Sequence, residues 1–273
     1  MSLNRGAVYG LLGKNGTGKS TLLYLMCGLL RPKAGQVLMN GIDVKLRLPQ
    51  TLRDTFLVPE EFSFPNLPLK QFVKLNAPFY PNFSDEILRR CLADFDMDTD
   101  IHLNELSMGQ KKKAYMCFAL ATNTPLLIMD EPTSMFNVED AAKVTELTRR
   151  IAGMGIGIIY ISHFLNEVVE IADRITVIRD GAVISAFSNE NHDTPITKIT
   201  QDMVGRPIDM FYDREKCPIG DVMLEVKDLQ LTKDSPKINF TVHKGEIVGF
   251  SGMVGSGRTE MMRAMVGADS RYG

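Results

Sequence analysis

Two hydrophobic patterns alternate along the chain: short unbroken apolar runs, and longer stretches in which apolar residues recur every three or four positions. The first pattern indicates buried strands and the second indicates amphipathic helices. Strands are predicted at 7–12, 125–131 and 156–163, and helices at 20–30, 140–155 and 164–174. Because strands and helices alternate, we expect an α/β fold with a parallel sheet flanked by helices.

Other stretches interrupt this alternation. Asn40–Gly41 and Asp180–Gly181 are typical of hairpin turns. Residues 66–124 combine longer apolar periodicity with several prolines, which predicts a mainly helical insert. Residues 188–221 are polar and rich in turn-forming residues, so we predict a linker with at most one short helix. Strand patterns return over 222–231 and 237–250.

An internal repeat links the two ends of the chain. Residues 5–28 align without a gap on residues 244–267, and all six glycines of the first segment recur in the second. Such self-similarity predicts that a second unit of the same kind begins near residue 222 and is truncated after its first helix.

Composition narrows the function classes. The chain has 273 residues, 44% of them hydrophobic, and a net charge of −2, which is typical of a soluble globular protein and not of a nucleic-acid binder. We interpret the lysine run at 111–113 as a solvated helix face. The four cysteines are too far apart in sequence to suggest a metal site. Signal-peptide and membrane-span patterns are not found, so a cytoplasmic location is expected.

The segment GKNGTGKST at 13–21 matches the Walker A phosphate-binding pattern, with a predicted strand before it and a predicted helix after it. Glycines let successive backbone N–H groups approach a triphosphate, and the following helix directs its free N–H groups at the same oxygens. Lys19 is expected to reach the β- and γ-phosphates, and Ser20 to bind Mg²⁺. The candidate ATP-binding residues are Gly13, Lys14, Asn15, Gly16, Thr17, Gly18, Lys19, Ser20 and Thr21. A chance glycine-rich turn is the alternative.

The second copy of this loop, at 252–259, has Arg258 where the first copy has Lys19. Arginine is planar and longer than lysine, so it does not act as the same compact charge. We expect this copy to bind phosphate weakly and to hydrolyse nothing; a purely structural remnant is the alternative.

Further motifs follow the first loop in order: LSMGQ at 106–110, LLIMDEPTS at 126–134, ISH at 161–163 and, more weakly, VPEEF at 58–62. Together they resemble the nucleotide-binding subunits of ABC transporters, over about 4–187 and again from 222. Residues 4–132 resemble single-domain exporter-type subunits, whereas 133–273 resemble the tandem ATPases of ribose and galactose importers. A chimera is one hypothesis for this difference.

The resemblance implies roles for individual residues. Asp130 would hold Mg²⁺ through water, Glu131 would be the general base, and His163 would lie beside the γ-phosphate. Glu60 stands where the family has a glutamine and is a candidate Mg²⁺ ligand. The signature that closes on the ATP of a second subunit would be Ser107, Met108, Gly109 and Gln110.

The resemblance also implies a function: ATP hydrolysis, with Mg²⁺, that drives an ABC transporter for a sugar or another small solute. The partners would be transmembrane permease subunits, gripped by the helical insert, and a second ATPase domain in a homodimer or heterodimer on the inner face of the membrane. The expected domains are 1–187, a linker at 188–221 and a second unit from 222. A weakly binding, non-catalytic fragment and a soluble ATPase without a membrane partner remain alternatives.

Some family features differ in this sequence. The family has two strands and an adenine-stacking aromatic residue before the phosphate loop, where this chain has only residues 2–9. One hypothesis is that strands at 222–250 take the place of those missing strands. Asn137 stands where the family often has a charged residue that contacts the partner's loop.

Overall fold

The structure is a computed structural model, and it describes residues 2–205, 217–252 and 256–269. The chain divides into two compact units, Met1–Met210 and Phe211–Gly273.

A six-stranded sheet lies at the centre of the first unit. Its strands are β1 (Val8–Leu12), β4 (Thr55–Val58), β5 (Leu126–Asp130), β6 (Gly157–Ile161), β7 (Arg174–Arg179) and β8 (Ala182–Ser188); a separate hairpin contains β2 (Leu38–Met39) and β3 (Ile42–Asp43). The strand order is β4-β5-β6-β1-β7-β8. All neighbours are parallel except β7 and β8. The predicted parallel α/β sheet is confirmed.

The central strands are apolar along their whole length because helices cover both faces of the sheet. Every residue of β1 and of β6 is buried. The helices of the first unit are α1 (Lys19–Met26), α2 (Pro49–Leu52), α3 (Leu69–Asn76), α4 (Asp85–Asp94), α5 (Met108–Ala121), α6 (Val138–Gly153), α7 (Leu165–Ile171) and α8 (Ile196–Val204). Helices α3, α4 and α5 lie in the predicted helical insert.

The lysine run on α5 differs from its prediction. Lys112 is fully buried, with 0% exposure. The Lys113 ammonium lies 2.6 Å from the Asp140 carboxylate, and both of these side chains are largely shielded from solvent. The prediction of a solvated helix face is therefore wrong for Lys112 and Lys113, because α5 packs both of them against neighbouring segments.

The first part of the predicted linker packs on the sheet. Ile199 of α8 is fully buried. The Arg179 guanidinium on β7 donates to the Asp202 backbone oxygen at 2.8 Å, and the Ser185 hydroxyl on β8 donates to the Asp202 carboxylate at 2.7 Å. Residues 188–205 therefore lie with the first unit rather than in a linker. Residues 206–216, in the rest of the predicted linker, lie outside the described residues.

The second unit contains an antiparallel hairpin, β9 (Val222–Leu229) and β10 (Ile238–His243), and one helix, α9 (Arg258–Met265). Helix α9 begins after Gly257 with φ 85°, as α1 begins after Gly18 with φ 94°. The local geometry thus repeats where the sequence repeats. Residues 253–255 of the second loop lie outside the described residues.

The strand predicted over 237–250 ends early, at His243. Residues 247–251 correspond to β1 in the repeat, yet Ile247 is 74% exposed. In the first unit, β1 is paired on both sides by β6 and β7. Among the described residues of the second unit, no strands equivalent to β6 and β7 occur, so this copy of the β1 sequence lacks the partners that would make it a strand.

Candidate functional site

Four parallel strands end at the same edge of the sheet, and each leads into a predicted site residue. Strand β4 leads to Glu60, β5 to Asp130 and Glu131, β6 to His163, and β1 to the glycine loop. Because these strands are neighbours in the order β4-β5-β6-β1, their ends surround one cleft of about 630 Å³. The residues that line the cleft are Asn15, Gly16, Gly18, Lys19, Ser20, Thr21, Glu60, Asp130, Glu131 and His163.

The glycine loop requires glycine for two separate reasons. Gly18 has a positive φ of 94°, a conformation that residues with a Cβ rarely adopt. A Cβ on Gly13 would lie 2.3 Å from the Ile178 backbone oxygen, which cannot move aside. The Thr17 hydroxyl donates to the Lys14 oxygen at 2.8 Å and holds the loop together from its buried side.

Lys19 crosses this loop from the first position of α1. Its ammonium donates to the Gly13 oxygen at 2.7 Å and to the Lys14 oxygen at 3.1 Å. The pKa of Lys19 is lowered because burial outweighs the opposite effect of the nearby carboxylates. The predicted loop residues thus divide into two groups: Asn15, Gly16, Gly18, Lys19, Ser20 and Thr21 line the cleft, while Gly13, Lys14 and Thr17 shape the loop.

Two carboxyl groups face the loop from the end of β5. Asp130 and Glu131 are both buried, and this burial raises the pKa of each carboxyl group. A hydrogen bond from Ser20 and the charge of Lys19 act against the rise at Asp130. Glu131 has a positive φ of 49°, which is uncommon for a residue with a side chain and is often found at functional sites.

His163 is held directly by Glu131. Its Nδ1 lies 2.7 Å from the Glu131 Oε2 atom, and its backbone N–H donates to the same oxygen at 3.2 Å. The ring of Phe164 lies against the imidazole, with the ring centroids 4.0 Å apart. The histidine therefore contacts both a buried carboxylate and an aromatic ring.

Below the cleft, one carboxylate that sequence reasoning missed joins three segments. Glu167 on α7 accepts hydrogen bonds through Oε2 from the hydroxyls of Thr133 at 2.7 Å, Tyr160 at 3.1 Å and Ser162 at 3.3 Å. Thr133 follows Glu131 closely and Ser162 precedes His163. Glu167 thus ties together the two loops that carry the acid and the histidine. Its one sequence signal is a carboxylate four residues after His163.

The donor set at the cleft fits a magnesium ion that arrives with phosphate. The Ser20 hydroxyl and the carboxylates of Asp130 and Glu60 line the same cleft. Among the described residues, no group of three or more His, Cys, Asp or Glu side chains forms a metal cage. Mg²⁺ is commonly held by one or two protein oxygens together with phosphate oxygens, so these few oxygens suffice.

The signature residues stand apart from this group. Ser107 caps α5: its hydroxyl accepts from the Gln110 backbone N–H, and the Gln110 side chain accepts from the Ser107 N–H. Over the described part of the chain, the residues that line the cleft do not include Ser107–Gln110. Asn137 similarly caps α6 by accepting from the Asp140 N–H at 2.8 Å.

Comparison with known proteins agrees with this geometry. The model of the ABC transporter family matches residues 1–134. The ribose import ATP-binding protein of Lacticaseibacillus paracasei is 34% identical over 280 residues, which cover 98% of this chain and 56% of that protein. This chain carries an ABC transporter ATP-binding domain. The ribose import ATP-binding protein 3 of Rhizobium meliloti is 37% identical over 273 residues, 97% of this chain and 54% of that protein.

These relatives align with both halves of the chain, including residues 4–132, for which the sequence motifs predicted a resemblance to exporter-type subunits. The chain spans about half the length of each of these two relatives.

Solved structures support the fold of the ABC domain. An ATP-binding subunit of an ABC transporter matches with a TM-score of 0.65 and 23% identity, over 77% of this chain and 88% of that one. A dimeric bacterial ABC transporter cassette matches with a TM-score of 0.61 and 24% identity, over 69% of this chain and 88% of that one.

Over the described residues, none of the helices is long and apolar enough to span a membrane.

Proposed function

We propose that this protein binds Mg²⁺–ATP in the cleft and hydrolyses it to drive an ABC transporter that imports a sugar. The observation that carries the proposal is the convergence of the glycine loop, Asp130, Glu131 and His163 at four neighbouring strand ends. Phosphoryl transfer needs mainly positioning and charge neutralisation, and these residues supply a cation, a base and metal-binding oxygens.

The phosphate groups would bind the loop through its backbone N–H groups and the N-terminus of α1. That helix begins at Lys19 without a side-chain cap, so its first N–H groups are available to an anion. The Lys19 ammonium, now bonded to two loop oxygens, is close enough to exchange one of them for a phosphate oxygen.

The metal oxygens would come from Ser20, Asp130 and Glu60. Bound Mg²⁺ would neutralise charge on the phosphates and orient them. All three residues line the same cleft beside the glycine loop.

Glu131 would act as the general base toward the attacking water. Burial raises its pKa, and a carboxylate with a raised pKa accepts a proton more readily. His163 would lie beside the γ-phosphate, held by its contact with Glu131.

The proposal extends to partners. A permease in the membrane would bind the helical insert at 66–124, which would bring this protein to the inner face of the membrane. A second ATPase domain would close its nucleotide against Ser107, Met108, Gly109 and Gln110. Support comes from relatives described as ribose import proteins and from a structural neighbour described as dimeric.

The function is tested by ATP hydrolysis with and without magnesium. We expect the purified protein to release phosphate from ATP in the presence of Mg²⁺, and we expect excess EDTA to abolish this release. Added Mg²⁺ should restore it, since the Lys19 ammonium is the one cationic side chain among the described residues that line the cleft and does not neutralise a triphosphate alone. Phosphate release that is equal with EDTA and with Mg²⁺, or that stays at the buffer rate, would contradict the proposal.

A further inference from the structure

A buried lysine lies beside the candidate magnesium site and has no role in the function proposed above. Lys112 is the second residue of the lysine run on α5 and has 0% exposure. Among the residues that the structure describes, it is the one lysine in the fully buried class. An ammonium group in the interior is costly unless hydrogen bonds and charges compensate it.

Three backbone oxygens from two loops surround the Lys112 ammonium. It donates to the Pro59 oxygen at 2.9 Å and to the Glu60 oxygen at 3.2 Å, and it lies 3.5 Å from the Asp130 oxygen. A lysine ammonium has three N–H donors, so each oxygen can receive one. Lys112 thereby joins the loop after β4 to the end of β5.

The same loop is attached to α5 at a second point. The Lys112 ammonium lies over the ring of Phe62, 5.5 Å from its centroid. The Phe62 ring also stacks on Tyr115, with centroids 4.7 Å apart and an interplanar angle of 15°. Tyr115 follows Lys112 by three residues and therefore lies on the same side of α5.

The Lys112 ammonium is buried, and three carboxylates act on it. Burial lowers its pKa to about 8, while the carboxylates of Asp130, Glu60 and Glu131 act in the opposite direction. The charges that compensate the buried ammonium therefore lie on the loop after β4 and at the end of β5, which also carry the candidate metal oxygens.

We propose that Lys112 is a positioning residue: it fixes the loop that carries Glu60 against the end of β5, so that Glu60 and Asp130 face the same magnesium ion. The proposal rests on the proposed function, because it assigns Lys112 to the Mg²⁺–ATP reaction of that cleft. Lys112 itself does not touch the metal or the nucleotide. It acts through the backbone of Pro59, Glu60 and Asp130.

The first test separates magnesium use from nucleotide binding. Lys112→Met gives an unbranched apolar side chain one atom shorter than lysine and removes all three donors. We expect the Mg²⁺ concentration for half-maximal ATP turnover to rise about tenfold, as the loss of a charge-assisted hydrogen-bond group predicts. ATP affinity measured in EDTA should change less than twofold, because the glycine loop and Lys19 are untouched. Lys74→Met removes an exposed lysine from α3 and is the matched control, with neither quantity changed.

The second test needs no turnover. The chain contains no tryptophan, so Phe62→Trp introduces a single tryptophan next to Lys112, which can be excited apart from the seven tyrosines. In this background, Lys112→Met should at least double the acrylamide quenching constant of the indole, because the loop is released from α5. Lys74→Met in the same background should leave quenching as it is.

Lys112→Gln covers the case in which the methionine variant does not fold. Its side chain is as long as that of methionine but keeps two N–H donors, so we expect a smaller rise, of about threefold, in the magnesium requirement. A folded Met or Gln variant with the wild-type magnesium requirement and the wild-type quenching would overturn the proposal. Should the wild-type protein hydrolyse no ATP, the proposed function fails, while quenching still decides whether Lys112 holds the loop.

Discussion

Replacing Glu131 with glutamine is expected to reduce ATP turnover by about 10²–10⁴-fold, the usual contribution of a general base. Glutamine keeps the size of the side chain but cannot accept the proton of the attacking water. The Glu131→Gln variant should still bind ATP, because Lys19 and the loop backbone remain. Phosphate release under saturating Mg²⁺–ATP measures the turnover, and a fluorescent ATP analogue measures the binding.

The matched control for this result is Glu170→Gln on α7. Glu170 is 57% exposed and pairs with Arg149 at the surface, so its loss should change turnover by less than twofold. A Glu131→Gln variant that retains more than a third of the wild-type turnover would rule out Glu131 as the base.

Replacing Lys19 with methionine is expected to weaken Mg²⁺–ATP binding by about 10–100-fold, the range for a lost hydrogen bond to a charged group. Methionine fills the same space, but it donates no hydrogen bond and carries no charge toward the phosphates. The dissociation constant of the purified Lys19→Met variant, from titration with a fluorescent ATP analogue, measures the effect.

The internal repeat supplies the control for this second result. Arg258 occupies the position of Lys19 in the second copy, and Arg258→Met is expected to change the dissociation constant less than twofold. The opposite pattern, with binding lost in Arg258→Met and kept in Lys19→Met, would move the nucleotide site to the second copy.

The sequence predicts most of the central sheet because the apolar runs of β1, β5 and β6 are long and lie between clear turn signals. Strand β4 was missed. It has only four residues, Thr55–Val58, with alternating burial, and it precedes a proline-rich segment. A pattern of that length is too short to separate from its surroundings. Its partner β5 lies some 70 residues later, and no local signal reports that pairing.

The residues of the candidate site could be predicted where a motif fixes the spacing, as for Lys19, Asp130 and His163. The residues that support them could not. Lys112 lies in a run of three lysines that indicates a solvated surface, and its burial depends on carbonyl oxygens that are far away in sequence. Glu167 likewise gains its role only when β5, β6 and α7 meet.

The second unit shows the limit of reasoning from repeats. Residues 244–267 repeat residues 5–28, and the glycine before the helix adopts the same left-handed conformation in both copies. The strand does not repeat, since Ile247 lies exposed where its counterpart Val8 is buried between neighbours. Local backbone preference is carried by the segment itself, whereas a central strand also requires partners from elsewhere in the chain.

The most direct test of the account is a crystal structure of this chain with Mg²⁺ and a non-hydrolysable ATP analogue. The account predicts that the triphosphate lies along residues 15–20, with the Lys19 ammonium on a phosphate oxygen and the metal bound by the Ser20 hydroxyl near Asp130. A nucleotide bound at any other place, or a glycine loop that holds no phosphate at saturating analogue, would contradict it.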